Sequence, residues 1–315
     1  MKIAVLESLG ISAEAMAERE KPFQEAGHVF VHYDKTTDTE KLKEEVRDAD
    51  ALILANMPLP GEVIAAGEKL SFIDIAFTGV DHVGMDVVRE RGITASNASG
   101  YSTEAVAELS LGMAIDILRN VRAVETRART GGTKDGLVGT EIRGKTVGIV
   151  GLGAIGSRTA EIYHALGAKI LATSRTVHEN APDYVTQVSL DELLSASDIV
   201  SLHCPLNDST RGLIDEEKLS LMKPGAILLN LARGPVVKSQ ALADALNAGK
   251  IAGAGIDVFD TEPPIPETDP LLGAKNTLLT PHIAFASKES MILRADIVFE
   301  NLKAFLEGSP VHVVR

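Results

Sequence analysis

A glycine-rich turn at residues 151–156 has the spacing of a loop that binds phosphate groups. It follows an apolar stretch at 146–150, predicted as a strand, opens a helical pattern, and reads Gly151-Leu152-Gly153-Ala154-Ile155-Gly156. Such glycines permit a tight turn, close approach of the backbone to a pyrophosphate and close packing of helix on strand. The helix N-terminus adds free N–H groups and a positive dipole end. The turn predicts a dinucleotide site; the alternative is a glycine-rich turn without a ligand.

The residues after the next predicted strand indicate which dinucleotide would bind. A carboxylate near the end of this strand would hydrogen-bond the ribose 2′-OH of NAD and repel a 2′-phosphate. Ser174 occupies that place, and Arg175 and Thr176 follow it. The guanidinium and hydroxyl groups favour NADP(H), with NAD(H) still possible. Alternatively, Arg175 is a solvated loop residue or stacks on the adenine.

Three polar segments follow later predicted strands. The first contains Arg233, the second contains Asp257 and Glu262, and the third contains His282. The carboxyl ends of parallel strands meet at one edge of a sheet, so the segments can converge where the dinucleotide lies. These residue types suit acid–base chemistry there. Taken singly, each residue would be explained as a surface ion-pair partner, a solvated side chain or a structural histidine.

Two series of strands and helices would position these residues. In the first hundred residues, helical stretches alternate with apolar runs at 2–6, 28–33, 51–55, 72–77 and 93–95. This alternation predicts βα units and a parallel sheet. After a glycine-rich break at 131–136, a doubly wound sheet of six strands is predicted at 146–150, 169–173, 198–203, 226–231, 251–256 and 277–279. One long helix is expected at 103–129, another at 287–307, and a rigid proline-rich loop at 262–266.

Composition excludes several classes of protein. The chain has 315 residues, enough for two domains, and its formal net charge of −13 disfavours nucleic acid as a partner. No stretch longer than twelve residues lacks Asp, Glu, Lys and Arg, so no membrane span is predicted. Cys204 is the only cysteine, and nothing near the N-terminus suggests export, so we expect a cytoplasmic protein. No metal site is predicted.

Motifs along essentially the whole chain resemble those of the D-isomer-specific 2-hydroxyacid dehydrogenases. Besides the segments above, they include Thr78-Gly79-Val80-Asp81 and Ala105-Val106-Ala107-Glu108. The resemblance implies two doubly wound α/β domains with parallel sheets. A Rossmann dinucleotide-binding domain, residues 99–285, would be inserted in a flavodoxin-like substrate domain formed by 1–98 and 286–315. Substrate would bind in the cleft between the domains.

The resemblance also implies a reaction and a role for each site residue. Hydride would pass between nicotinamide and C2 of a small 2-keto or D-2-hydroxy acid. Arg233 would bind the substrate, His282 would act as general acid, and Glu262 would hydrogen-bond the imidazole and favour its charged form. Backbone N–H groups at Thr78, Gly79 and Val80 would take the substrate carboxylate. Asp257 would contact the nicotinamide carboxamide, and further cofactor contacts are expected at His203, Cys204, Pro205, Thr210 and Ala232.

The residues of two further motifs indicate one branch of this family. The segments 100–108 and 282–287 look like those of the glycerate dehydrogenase or hydroxypyruvate reductase branch, in which Phe285 and residues near Asn56-Met57 would line the substrate pocket. Family members are usually homodimers, and 103–129 is the expected dimer element. One alternative is a dinucleotide-sensing corepressor on the same fold. Another is a formate- or phosphite-oxidising relative, although formate enzymes usually have Gln where Glu262 stands.

Overall fold

The computed structural model describes residues 1–262 and 264–314. It divides into two compact units. Unit 1 comprises Met1–Ser102 and the described residues from Ala286 onward, and unit 2 is Thr103–Phe285. Each unit is built on its own parallel sheet flanked by helices, which confirms the predicted α/β fold class.

Unit 1 contains a sheet of five parallel strands in the order β2-β1-β3-β4-β5. The strands are β1 (Lys2–Val5), β2 (Val29–His32), β3 (Ala51–Leu54), β4 (Phe72–Ile75) and β5 (Thr94–Asn97). The helices between them are α1 (Ala13–Glu25), α2 (Thr39–Val46), α3 (Gly61–Ala66) and α4 (Met85–Glu90). Strands β3 and β4 are buried along their whole length, as expected for apolar runs covered on both faces.

Unit 2 contains a sheet of seven parallel strands in the order β12-β11-β10-β9-β6-β7-β8. They are β6 (Thr146–Val150), β7 (Lys169–Thr173), β8 (Val185–Gln187), β9 (Ile199–Leu202), β10 (Ile227–Asn230), β11 (Gly253–Ile256) and β12 (Thr277–Leu279). The prediction of six strands was wrong because it missed β8. This strand has three residues, pairs only with β7 at the sheet edge, and has no fully buried side chain. It therefore lacks the apolar run that marks the other strands.

The helices of unit 2 are α5 (Thr103–Arg119), α6 (Val121–Arg129), α7 (Ala154–Ala165), α8 (Leu190–Ala196), α9 (Glu216–Leu221) and α10 (Ser239–Asn247). The single helix predicted at 103–129 is divided at Asn120, whose φ is 52°. Asparagine tolerates this left-handed conformation better than most residues. The Leu118 carbonyl accepts a hydrogen bond from the N–H of Thr140 at 2.9 Å, so a returning segment takes an acceptor at the end of α5. Sequence periodicity continues across the break and does not reveal it.

The last helix, α11 (Lys288–Leu306), completes unit 1 and confirms the helix predicted at 287–307. Ser287 and Ser290 form a capping box at its start. Phe305 stacks on Phe72 of β4 with ring centroids 4.3 Å apart, so α11 covers one face of the unit 1 sheet. In the described part of the chain, no helix is long and apolar enough to cross a membrane.

Candidate active site

The three predicted polar segments lie side by side at the carboxyl edge of the unit 2 sheet. Asn230 of β10 pairs with Ile256 of β11, which in turn pairs with Leu279 of β12. The chain therefore leaves these neighbouring strands at the same level, into loops 231–236, 257–262 and 280–285. Pro263, in the predicted proline-rich loop, lies outside the described residues.

His282 and Glu262 form a hydrogen-bonded pair at this edge. The imidazole Nδ1 lies 2.5 Å from Glu262 Oε2, and the two side chains are only 18% and 19% exposed. Glu262 Oε1 accepts a hydrogen bond from the Phe259 N–H, which orients the carboxylate. Because a carboxylate is an acceptor, Nδ1 carries the hydrogen of this bond, and Nε2 is the ring nitrogen left for proton exchange.

Asp257 holds the loop that carries His282. Its buried carboxylate accepts hydrogen bonds from the Thr280 hydroxyl at 2.6 Å and from the N–H groups of Ile283 and Ala284, each at 2.9 Å. Burial raises the pKa of this carboxyl, and these hydrogen bonds oppose the rise. His282 has a φ of 54°, a conformation that costs free energy in a non-glycine residue. We infer that the Asp257 carboxylate helps to maintain this conformation.

The loop that carries Arg233 packs backbone to backbone against the Glu262 loop. A Cβ atom at Gly234 would overlap the carbonyl group of Phe259, so only glycine allows this approach. The buried Asn230 accepts from the Ala232 N–H at 3.1 Å and donates to the Arg233 carbonyl at 3.0 Å. Arg233 Nη1 donates to the Ala232 carbonyl at 2.8 Å, and this hydrogen bond restrains the position of the guanidinium.

A cavity of about 480 Å³ lies at the glycine-rich turn, a size usual for ligand sites. Nine predicted cofactor residues line it: Gly151, Gly153, Ser174, Arg175, Thr176, His203, Cys204, Pro205 and Thr210. The described residues that line it include no Asp or Glu. Arg175 is thus the charged side chain beside a cavity with no carboxylate to repel a phosphate.

The glycines of the turn fit a phosphate-bearing ligand. Gly151 has a φ of 98°, and a Cβ there would lie 2.7 Å from the Cys204 nitrogen. A Cβ on Gly156 would overlap the Gly151 carbonyl, so this glycine allows close packing of α7 against the turn. A Cβ on Gly153 would meet nothing within 4 Å, and no side chain caps the N-terminus of α7 there. The first N–H groups of α7 can therefore bind a phosphate, as a dinucleotide requires.

Comparison with known proteins identifies the family. Residues 111–284 match the family model for the D-isomer specific 2-hydroxyacid dehydrogenase, NAD binding domain. The whole chain is 38% identical to the whole of a protein named hydroxypyruvate reductase from Blautia hydrogenotrophica. The chain belongs to the D-isomer specific 2-hydroxyacid dehydrogenase family. It is therefore an oxidoreductase that uses a nicotinamide dinucleotide, as the motifs predicted.

This 2-hydroxyacid dehydrogenase chain is similar to further reductases over most of its length. A glyoxylate reductase from Thermofilum pendens is 39% identical, over 90% of this chain and 87% of its own. Among solved structures, a glyoxylate reductase from Paecilomyes thermophila has a TM-score of 0.89 at 29% identity, covering 100% of this chain and 98% of its own. An acyclic imino acid reductase in complex with NADPH and D-Arg has a TM-score of 0.92 at 28% identity, with both chains fully covered. These names give no support to the corepressor alternative.

In this dehydrogenase, the five remaining predicted cofactor residues are not among those that line the cavity. Ala154, Ile155 and Gly156 lie in the first turn of α7, while Ala232 and Asp257 belong to the loops after β10 and β11. The direct cofactor contacts expected of these five residues stay predictions. The sequence analysis missed His178, Leu190, Asn207, Ser209 and other lining residues. Asn207 and Ser209 could have been found, because they are polar and lie two and four residues after Pro205.

Burial keeps the side chains of His203 and Cys204 in their uncharged forms. Burial raises the pKa of the Cys204 thiol to about 11 and lowers the pKa of His203 to about 4. His203 Nε2 lies 2.8 Å from the Ser201 hydroxyl, and its buried Nδ1 has no hydrogen-bond partner among the described residues. A neutral imidazole with one unpartnered nitrogen beside the cavity suits a lining residue.

The predicted carboxylate-binding segment lies in unit 1, directly after β4. Thr78, Gly79 and Val80 are outside any helix or strand. The Thr78 hydroxyl is buried and has no hydrogen-bond partner in the described part of the chain. Met57, expected near the pocket, is instead completely buried, and its N–H donates to Glu7.

Proposed function

We propose that the protein reduces a small polar 2-keto acid, hydroxypyruvate or glyoxylate, to the corresponding D-2-hydroxy acid, with NADPH as the favoured cofactor. The observation that carries this proposal is the half-buried His282–Glu262 pair, with Nδ1 and Oε2 2.5 Å apart, on a loop beside the one that carries Arg233. Keto-acid reduction requires a proton donor for the forming alkoxide and a cation for the acid's oxygens. Relatives named hydroxypyruvate reductase and glyoxylate reductase support this substrate class.

Each residue has a defined task in this proposal. A bound nicotinamide supplies the hydride that adds to C2 of the keto acid. Arg233 binds substrate oxygens through charge-assisted hydrogen bonds. His282 holds a proton on Nε2 and gives it to the keto oxygen, while Glu262 accepts from Nδ1 and stabilises the imidazolium that precedes transfer. Asp257 keeps the His282 loop in place.

The substrate carboxylate is bound, in this proposal, by backbone N–H groups of the 78–80 segment. Successive N–H groups outside regular structure are suited to hold an anion. The buried Thr78 hydroxyl adds a donor, and its lack of a partner among the described residues supports a role toward an oxygen ligand.

A coupled assay of keto acids and cofactors tests the function. Glyoxylate, hydroxypyruvate, pyruvate, 2-ketoisocaproate and phenylpyruvate are each reduced with NADH and with NADPH, and formate oxidation is measured alongside. We expect kcat/KM to be highest for hydroxypyruvate or glyoxylate. A higher kcat/KM for phenylpyruvate or 2-ketoisocaproate would contradict the substrate class, and formate oxidation alone would contradict the reaction.

Glu262→Gln should lower kcat for keto-acid reduction about 10- to 100-fold. The carboxylate accepts from Nδ1 of His282, and the neutral amide that replaces it makes a weaker hydrogen bond to the imidazolium. The measurement is kcat for keto-acid reduction at saturating NADPH in both proteins. Glu267→Gln, at an exposed site five residues further along the chain, is the matched control. An unchanged kcat would make Glu262 purely structural.

Arg175→Ala should weaken NADPH binding selectively. Loss of the guanidinium removes a charge-assisted hydrogen bond to the 2′-phosphate, which corresponds to roughly 10–150-fold in affinity. Dissociation constants of NADPH and NADH are measured by fluorescence titration, with Lys169→Ala, at the other end of β7, as control. Equal weakening of both cofactors would indicate adenine stacking, and a wild-type preference for NADH would also overturn the proposed cofactor choice.

We also propose a homodimer in which a second copy covers α5, α6 and the loop after them. Ile115, Val121 and Val138 are 41%, 46% and 78% exposed there, although they are apolar. Exposed apolar side chains on neighbouring segments support an interface there. Light scattering of the purified protein should give twice the chain mass, and a monomer at micromolar concentration would refute the dimer.

A further inference from the structure

A buried asparagine of unit 1 holds the carbonyl of Thr78, within the 78–80 segment. Asn97 ends β5 and is almost fully buried. Its Nδ2 donates to the Thr78 carbonyl at 2.7 Å. The next residue, Ala98, donates its N–H to the Phe77 carbonyl at 3.1 Å. Two consecutive residues at the end of β5 therefore bind two consecutive carbonyls that lie outside regular structure.

The bond to the Thr78 carbonyl also orients an N–H group. The carbonyl of Thr78 and the N–H of Gly79 belong to one planar trans peptide, in which they point in opposite directions. Fixing the carbonyl with Asn97 therefore fixes the direction of the Gly79 N–H. A hydrogen bond accepted by an amide carbonyl also polarises that amide and strengthens its N–H as a donor.

Asn97 is itself held by α11 and by the segment after it. The buried Asn301 donates from Nδ2 to the Asn97 carbonyl at 3.1 Å, and the His312 carbonyl accepts from the Asn97 N–H at 3.1 Å. His312 Nδ1 lies 2.8 Å from Asn301 Oδ1 and, since that oxygen is an acceptor, carries the hydrogen. The residues 311–314 run antiparallel along β5, where the Ser96 hydroxyl donates to the Val311 carbonyl at 2.7 Å.

Asp74 also contacts the Asn301 amide. Its carboxyl oxygen Oδ1 accepts the second Nδ2 hydrogen of Asn301 at 3.0 Å. Complete burial raises the pKa of this carboxyl well above its ordinary value, which favours the neutral form. The Asn97 carbonyl is always an acceptor, so an inverted Asn301 amide would place its oxygen against that carbonyl and lose the bond.

We propose that Asn97 is a positioning residue for the substrate carboxylate. It acts through the Thr78–Gly79 peptide and is held by Asn301 and His312. This inference rests on the proposed function, because it assigns the 78–80 segment to the carboxylate. It predicts an effect on substrate binding and not on the dinucleotide, since the predicted dinucleotide-binding residues all lie in unit 2.

Asn97→Ala should raise KM for glyoxylate or hydroxypyruvate about 5- to 50-fold, with kcat changed less than about threefold. The dissociation constant of NADPH should stay within about twofold of the wild-type value. The stoichiometry of the same titration gives the fraction of the variant that is folded. Ser71→Ala is the matched control, because Ser71 makes a similar side-chain bond to the Asp50 carbonyl at the start of β4. Its KM should equal that of the wild type.

The His312 variants separate positioning from general destabilisation. His312 is exposed, so substitutions there should fold, and its φ of 50° is best tolerated by asparagine and aspartate. His312→Asp removes the donor to Asn301 and should raise KM about two- to fivefold. His312→Asn keeps an N–H donor and tolerates the backbone conformation, so it should restore the wild-type KM. Equal KM values in both variants would overturn the role of His312.

The activity of the wild type distinguishes a failure of the positioning role from a failure of the proposed function. If the wild type reduces keto acids and Asn97→Ala has an unchanged KM, the positioning role is refuted and the proposed function stands. If Asn97→Ala lowers kcat and KM rises equally in Ser71→Ala, the effect is general and the inference is again refuted. If the wild type reduces no keto acid, both are refuted.

Discussion

Replacing His282 should lower kcat for keto-acid reduction by about 10²–10⁴-fold while dinucleotide affinity stays nearly unchanged. The imidazole is the proton donor of the proposed reaction, and Glu262 orients it by accepting from Nδ1 at 2.5 Å. Without it, the forming alkoxide must take its proton from water. The cavity proposed for the dinucleotide is lined by other residues, so we expect its shape to be kept.

The choice of substitution matters because His282 has a φ of 54°. Alanine is strained in this conformation, whereas asparagine adopts it readily, so His282→Asn removes the acid without disturbing the loop. Both variants should show the same loss of kcat. His164→Ala, at an exposed position on α7, is the control. Ordinary turnover in His282→Asn would exclude His282 from the chemistry.

Arg233→Lys should raise KM for the keto acid by about 100-fold, although the charge is kept. A guanidinium forms parallel hydrogen bonds to two oxygens, and an ammonium group cannot reproduce this fork. The position of the guanidinium is also restrained, because Nη1 donates to the Ala232 carbonyl at 2.8 Å. KM is measured at saturating NADPH, and Arg143→Lys at an exposed site of unit 2 serves as control. An unchanged KM would place the substrate anchor elsewhere.

The sequence was informative where one local pattern determines the structure. Apolar runs predicted the strands of unit 1 and six of unit 2, and the glycine spacing predicted the turn before α7. It was uninformative where backbone groups from separate parts of the chain determine the structure together. The break at Asn120 depends on the carbonyl of Leu118 meeting Thr140, and the edge strand β8 depends on pairing with β7.

The same limit applies to the site. Arg233, Glu262 and His282 could be selected because strand ends converge and because their motif resembles a known family. The three hydrogen bonds from the 280–284 loop to the Asp257 side chain, and the bond from the Asn97 side chain to Thr78, join residues 19 to 27 positions apart. Neither the periodicity nor the residue spacing of the sequence predicts such contacts, so they are seen only in the folded structure.

The overlap that a Cβ at Gly234 would create with Phe259 has a consequence for redesign of the enzyme. Loops 231–236 and 257–262 form one interlocked piece, so grafting a foreign loop at either place would displace both Arg233 and Glu262. Phe285 contacts the His282 ring edge-on, with centroids 5.4 Å apart. Under the proposed function we expect point changes at Phe285 to alter substrate selectivity, whereas exchange of the first two loops must transplant them as a matched set.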